Sequence, residues 1–274
     1  METSKCVLSL SQEQQHFQKL KPHIFENIKV IYFDLDDTLC AYWHACKTGL
    51  QKTFEIYRPK QISVQKMTHA WAVAFRKFCP HIKETKWYPL YLKSGQPTRT
   101  ELMRLALKEL HIEDEELACK MSQVYARERN AALKVFPDTY ETLDALSAHY
   151  KLGLITNGPA DIQREEIKTL ALEPYFQYIL IEGELGKGKP CPTVLEEAEK
   201  RSGVSSQNIL FVGNSYDHDV LPAMRARWQT AWIYRTSDIP PSSESSKMAA
   251  RLKSTDTLPD VTIFSLKELL PMLT

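Results

Sequence analysis

The run Val30-Ile31-Tyr32-Phe33 is β-branched or aromatic at every position, and it stops at Asp34-Leu35-Asp36-Asp37-Thr38. A short apolar run of this kind reads as a buried strand. In an α/β sheet the carboxyl ends of the strands open into the ligand crevice. Asp34 and Asp36 therefore emerge there together, one placed to act as a nucleophile and the other as an acid or base. Negative charge crowded in this way calls for a cation. The same Asp-Asp-Thr also suits a turn followed by a helix N-cap, and the strand end alone does not separate the two.

After this strand, residues 42–134 read as helices with no strand among them, an inserted helical unit. Apolar positions recur at helical spacing over 65–78 (Met67, Ala70, Trp71, Ala74, Phe75) and over 100–110 (Leu102, Leu105, Ala106, Leu110), and 113–132 reads as a more polar helix. A proline-punctuated, aromatic and basic loop over 80–91 lies between the first two. From Phe136 onward the pattern alternates, with strands at 152–155, 178–181, 209–212, 230–234 and 261–264 and helices at 161–170, 192–202, 220–225 and 265–273. Such alternation predicts an α/β architecture, a parallel sheet wrapped by helices. Residues 237–246, rich in Ser and Pro, read as a mobile surface loop.

Three more strand ends carry polar residues that converge on the same crevice. Thr156-Asn157-Gly158 offers a hydroxyl, an amide and backbone donors to the oxygens of an anion, or forms a plain Asn-Gly turn. Gly186-Lys187-Gly188-Lys189-Pro190 supplies a fixed ammonium that balances the carboxylates or a phosphate, or a solvated basic loop. The spacing from Gly183 to Gly188-Lys189 approaches a nucleotide-binding loop, but Pro190 stands where that loop needs a hydroxyl and an N–H. Gly213-Asn214-Ser215-Tyr216-Asp217-His218-Asp219 offers oxygen ligands to a hard cation such as magnesium, or caps the next helix.

Composition narrows the partners. The 35 basic and 34 acidic residues nearly cancel without a long run of either sign, which argues against a nucleic-acid partner or a polybasic membrane patch. The six cysteines lack Cys-x-x-Cys or tight Cys/His spacing, so neither a disulfide framework nor a zinc site is expected and a reducing compartment fits. No apolar run approaches membrane-spanning length, and the first 20 residues lack the basic-then-apolar order of an export signal. The expectation is a cytoplasmic protein with no nucleic-acid or membrane partner, a monomer or homodimer.

Taken in order, Asp34-Leu35-Asp36-Asp37-Thr38, Thr156-Asn157-Gly158, Lys189-Pro190 and Gly213-Asn214 to Asp219 resemble the four motifs of the haloacid dehalogenase-like hydrolase superfamily, over nearly the whole chain from residue 28 to residue 273. The resemblance implies a Rossmann-like parallel sheet core in residues 1–41 and 135–274, with 42–134 as an inserted all-helical cap domain. It implies a magnesium-dependent phosphatase that hydrolyses a small phosphorylated metabolite through an aspartyl-phosphate. Asp34 would attack phosphorus, and Asp36 would protonate the leaving alkoxide and then deprotonate water. Thr156 and Lys189 would hold the transferring oxygens. Asp34, the backbone carbonyl of Asp36, Asn214 and Asp219 would ligate Mg2+, with Asp217 as a substitute.

A halide leaves without protonation, so the presence of Asp36 favours a phosphatase over a dehalogenase. Asn157 and Gly158 are expected to meet the substrate's anion. Trp43 with His44, and the loop bearing Lys86, Trp87, Tyr88, Tyr91 and Lys93, are expected on the substrate-selecting surface. One position departs from the pattern: the family's phosphatases carry Asp where this chain has Asn214, which removes a negative charge from the ion. Two other outcomes stay open, a catalytically weak protein that binds a phosphorylated ligand or partner, and a phosphomutase.

Overall fold

Six parallel strands form one sheet in the computed structural model of the protein, which describes residues 24–241 and 257–273. The expectations for residues 1–23 and 242–246 lie outside the described residues. The strands are β1 (Val30–Phe33), β2 (Lys151–Thr156), β3 (Tyr178–Ile181), β4 (Ile209–Gly213), β5 (Gln229–Ile233) and β6 (Val261–Ile263), in the order β3-β2-β1-β4-β5-β6. The order reverses at β1, which pairs with β2 on one side and β4 on the other, and ligand crevices form at such a switch point. The continuous apolar run of β1 follows from its central place. Ile31 and Phe33 enter the core on one face of the sheet while Val30 and Tyr32 enter a second core on the other, and all four are fully buried.

Between β1 and β2 every described element is helical: α1 (Tyr42–Tyr57), α2 (Val64–Phe78), α3 (Tyr88–Lys93), α4 (Gln96–Lys108), α5 (Glu115–Ala132) and α6 (Thr139–Ser147), with a 3-10 turn at Cys79–Glu84. The local chemistry explains their starts. Ser63 caps α2 by accepting from Lys66 N, Pro97 opens α4, and Asp114 accepts from Leu117 N at 2.8 Å to cap α5. Helices α1, α2, α4 and α5 enclose an apolar cluster of their own, built from Leu50, Phe54, Met67, Trp71, Met103 and Met121 among others. The chain passes into and out of this helical unit through two segments that run side by side, with Ala41 N donating to Lys134 O and Phe136 N to Leu39 O, both at 2.9 Å. Helix α6 falls in a stretch the sequence left without an element.

The rest of the chain wraps the sheet with α7 (Ala160–Thr169), α8 (Glu182–Leu185), α9 (Pro192–Ser202), α10 (Leu221–Arg225) and α11 (Leu270–Leu273). Where a helix was expected over 220–225, a π turn at Tyr216–Val220 comes first and then α10. The expected surface loop starting at 237 is corrected over its described part. Asp238 and Pro240 are buried, because Arg235 beside them turns inward to pair with Asp138 and to donate to Thr38 O at 3.0 Å. Asp138 also accepts from Ser265 Oγ and Leu266 N, so this pair ties the loop after β5 to the segment that follows Asp34.

Removing one member of a buried ion pair strands its partner's charge. Arg235→Met is therefore expected to lower the unfolding free energy by about 3–5 kcal/mol, read by urea denaturation with an unchanged slope.

Candidate active site

Asp34 is the first residue beyond β1, fixed to the sheet by Asp34 N donating to Val212 O at 3.0 Å. Its Oδ1 receives Lys189 Nζ at 2.6 Å, and the same ammonium donates to Asp219 Oδ1 at 2.7 Å. The lysine is 2 % exposed and so is Asp219. Two neighbouring residues permit this arrangement of three charges. Asn157 clamps the lysine from both sides of its amide, Nδ2 to Lys189 O and Oδ1 from Lys189 N, each at 2.7 Å. Gly213 leaves room for Asp219, since a Cβ there would lie 2.5 Å from the Asp219 carboxylate. Asp219 Oδ2 takes the Ser215 N–H at 2.8 Å, so both of its oxygens are engaged.

Burial works against the lysine charge, yet Asp219 and Asp34 together raise its pKa above the ordinary value. Burial pushes the Asp34 carboxyl up to about 6, with Lys189 pulling against it and Asp219 adding to it. Asp34 Oδ2 accepts from Thr38 Oγ1 at 3.1 Å, and Thr38 in turn takes the Asn214 N–H at 3.1 Å, which joins the ends of β1 and β4.

Asp36 lies beside a second buried network. Gln163 Nε2 points to Asp36 Oδ2 at 3.4 Å and to Glu166 Oε2 at 3.0 Å, while Gln163 Oε1 accepts from Thr156 Oγ1 at 2.7 Å. Arg129, at the end of α5, donates to Glu166 on α7, and both are 1 % exposed. Desolvation, then Glu166, Asp34 and Asp37, raise Asp36 well above the ordinary carboxylate value.

A cavity of about 460 Å3 opens over these groups and is lined jointly by the strand ends and the helical unit. Asp34, Asp36, Asp37, Asp219 and Asp238 all line it, against the ammonium of Lys189. Asp238 is the carboxylate that sequence reasoning missed. It accepts from Asn214 Nδ2 at 2.8 Å, and its Oδ1 is buried with no donor among the described residues. No three His, Cys, Asp or Glu side chains among the described residues close on a point as a ready-made metal cage. Excess carboxylate charge, oxygen donors and an orphaned carboxylate oxygen nevertheless fit a hard dication, which needs few protein ligands and keeps its waters.

Of the residues expected to meet substrate, Trp43, Asn157, Gly158 and Tyr91 line the cavity. Two of these have their polar groups already committed: the Asn157 amide holds Lys189, and Gly158 N donates to Glu182 Oε2 at 3.1 Å. Lys86 is a correction. It is exposed, lies over the Trp87 ring at 5.9 Å, and does not line the cavity, because the turn that carries it faces solvent. His44 is exposed and outside the lining, as is Asp217, the expected substitute ligand. Tyr88 instead reaches from α3 to Glu182 on α8, Oη to Oε1 at 2.9 Å. Besides Asp238, sequence reasoning missed Gln163, Glu166, Arg129 and Arg99, which sit on helices as ordinary polar residues.

The model of haloacid dehalogenase-like hydrolases matches residues 31–233 of the chain. A glyceraldehyde 3-phosphate phosphatase from Methanopyrus kandleri is 28 % identical over 76 % of this chain and 84 % of its own length. The N-acylneuraminate-9-phosphatase of Homo sapiens is 24 % identical over 78 % and 85 %. Among solved structures, a HAD-hydrolase from Bacillus subtilis bound to magnesium is similar in fold, with a TM-score of 0.68 at 19 % identity, covering 91 % of this chain and all of that one.

The opposed influences on Asp34 can be separated. Lys189→Met removes the cation that lowers its pKa, so the Asp34 carboxyl, followed by 13C shift in metal-free protein, should titrate near 6 in the native chain and higher in the variant.

Proposed function

The chain belongs to the haloacid dehalogenase-like hydrolases and acts on phosphate esters, and from that premise we propose that it is a magnesium-dependent phosphatase of a small phosphorylated metabolite. The observation that carries this is the buried ammonium of Lys189 held 2.6 Å from the Asp34 carboxylate at the switch point of the sheet.

Asp34 attacks phosphorus as the ester oxygen departs, and the phosphoryl group passes to its carboxylate. Asp36, kept protonated by its surroundings, gives its proton to the leaving oxygen. It then takes a proton from the water that attacks phosphorus, which frees phosphate and restores Asp34. Lys189 and Thr156 hold the transferring oxygens, Thr156 by turning its hydroxyl from Gln163. Asp219, expected among the metal ligands, has both oxygens taken by Lys189 and Ser215 N and acts instead through Lys189, and Asn157 positions the same lysine. Asp34, the Asp36 carbonyl and Asn214 Oδ1 would hold magnesium, with Asp238 behind the Asn214 amide supplying the negative charge that Asn214 lacks. That ion would neutralise charge on the phosphoryl oxygens.

Residues 1–41 and 135–274 are assigned as the catalytic core and 42–134 as a cap that closes over the crevice. A cavity shared by the two admits a small ester and excludes a folded protein. The cysteines Cys40, Cys46, Cys79, Cys119 and Cys191 are free thiols, which suits a cytoplasmic setting. Among the described residues no helix is long and apolar enough to cross a membrane.

Phosphate release from a panel of phosphorylated metabolites should require magnesium and should fall roughly 10^4-fold or more in Asp34→Asn. Release that survives either the chelation of magnesium or that substitution contradicts the assignment. A second test isolates Asp36. As an acid it loses activity when the pH rises through its pKa, and Glu166 holds that pKa up while occupying Arg129. Glu166→Gln removes the anion and frees the cation, so the alkaline limb of kcat/KM should move to lower pH. A limb that stays in place removes Glu166 from this role.

A further inference from the structure

The helical side of the cavity contrasts sharply in charge with its floor. Every Asp that lines the cavity comes from the strand ends and the loops after them, and no Asp or Glu from helices α1 to α5 lines it. Those helices contribute two arginines to the lining, Arg99 and Arg129. Arg129 has its carboxylate in Glu166. Arg99, on α4, has no hydrogen-bond acceptor and no carboxylate partner among the described residues. Desolvation and the neighbouring Arg129 lower its pKa by more than Tyr125, Tyr42 and Glu166 nearby raise it, and no carboxylate is bonded to the guanidinium itself.

A second group on the same side is also unmatched. Trp71 is 2 % exposed, lines the cavity from α2, and its Nε1 has no partner among the described residues. Guanidinium and indole are donors without acceptors. A ligand end that satisfies both must accept hydrogen bonds and carry negative charge, which excludes an amine or quaternary ammonium there. Around them the lining is aromatic. Trp71 stacks on Phe75 with centroids 5.1 Å apart, and Tyr125, whose hydroxyl is spent on Cys46 Sγ at 3.2 Å, completes the wall. The volume of about 460 Å3 holds considerably more than a phosphate and lies within the range of sites for whole small molecules.

We propose that the substrate carries a second anionic oxygen group, a carboxylate or another phosphate, seated on Arg99 with help from Trp71 Nε1, at the helical side of the cavity. This rests on the phosphatase activity proposed above and names its substrate class: a phosphomonoester with a negatively charged far end and an apolar or flat middle. Positioning the far end there would also draw the helical unit toward the core, because the ligand then bridges Arg99 and Lys189.

The experiment uses phenyl phosphates that bear a carboxylate on zero, one or two methylenes, each beside its uncharged carboxamide, together with phenylene bisphosphate. In the native protein the best carboxylate should exceed its amide in kcat/KM by about 10- to 100-fold, the value of one charge-assisted hydrogen-bonded pair. Arg99→Gln should bring that ratio close to one, and Arg99→Lys should leave it between the two. The bisphosphate arm decides which oxyanion is preferred. Dissociation constants of the same compounds, measured by calorimetry in Asp34→Asn, read the preference without turnover. Turnover without any preference for charge overturns the inference and leaves the phosphatase standing. A charge preference in binding that Arg99→Gln abolishes, without turnover of any ester, does the reverse. A preference that persists in Arg99→Gln also overturns the inference.

Discussion

The site depends on one ammonium held between two buried carboxylates. Lys189 brings Asp34 and Asp219 together from loops more than 150 residues apart in sequence, at 2.6 and 2.7 Å. Two carboxylates cannot share such a recess ionised without a cation between them. The surroundings are shaped to hold it: Gly213 so that Asp219 can approach, Asn157 to fix the lysine backbone, and Thr38 to tie Asp34 to the end of β4. One positive charge against two negative ones still leaves an excess, and Asp37 and Asp238 add to it. The arrangement is therefore built to receive further positive charge and a phosphoryl group that arrives with it.

Asp36, the acid and base of the proposed reaction, is tuned from the opposite direction. Asp36 is kept from ionising by its recess and by Glu166, and Glu166 is anchored by Arg129 from the helical unit. The arginine that crosses to α7 thus belongs to both halves of the molecule. Together with the Tyr88 contact to Glu182, it couples the position of the helices to the chemistry at the sheet edge. Displacing α5 would remove Arg129 from Glu166 and change the field that Asp36 feels. In this way the proposed closure over a substrate and the readiness of the acid would be linked through named side chains.

Much of this was legible in the sequence because it is written locally. The apolar run of β1, the Thr156-Asn157-Gly158 turn and Gly213 at the end of β4 each announce a strand end with polar residues attached, while Gly188-Lys189, expected at a strand end too, follows the short helix α8 that comes after β3. Parallel topology brings such ends together, so their order along the chain sufficed to place them in one crevice. What stayed hidden depends on contacts between distant segments. Asp238 sits in a Ser/Pro stretch that reads as solvated, and it is buried because Arg235 turns inward to Asp138. Arg99 and Arg129 are polar positions on helices whose orientation is set by packing. Lys86 erred in the other direction: a basic, aromatic loop looked like a ligand surface, but its lysine lies outside against Trp87.

The central claim is that Asp34 carries the phosphoryl group. It is tested most directly by quenching the reaction with a phosphate ester within milliseconds, reducing the quenched protein with borohydride, and sequencing the peptide around residue 34 by mass spectrometry. A phosphorylated Asp34 would be reduced to homoserine at that position, in proportion to the burst of released alcohol. An unmodified residue 34 at every quench time while alcohol is released, or homoserine at a different aspartate, would contradict the account.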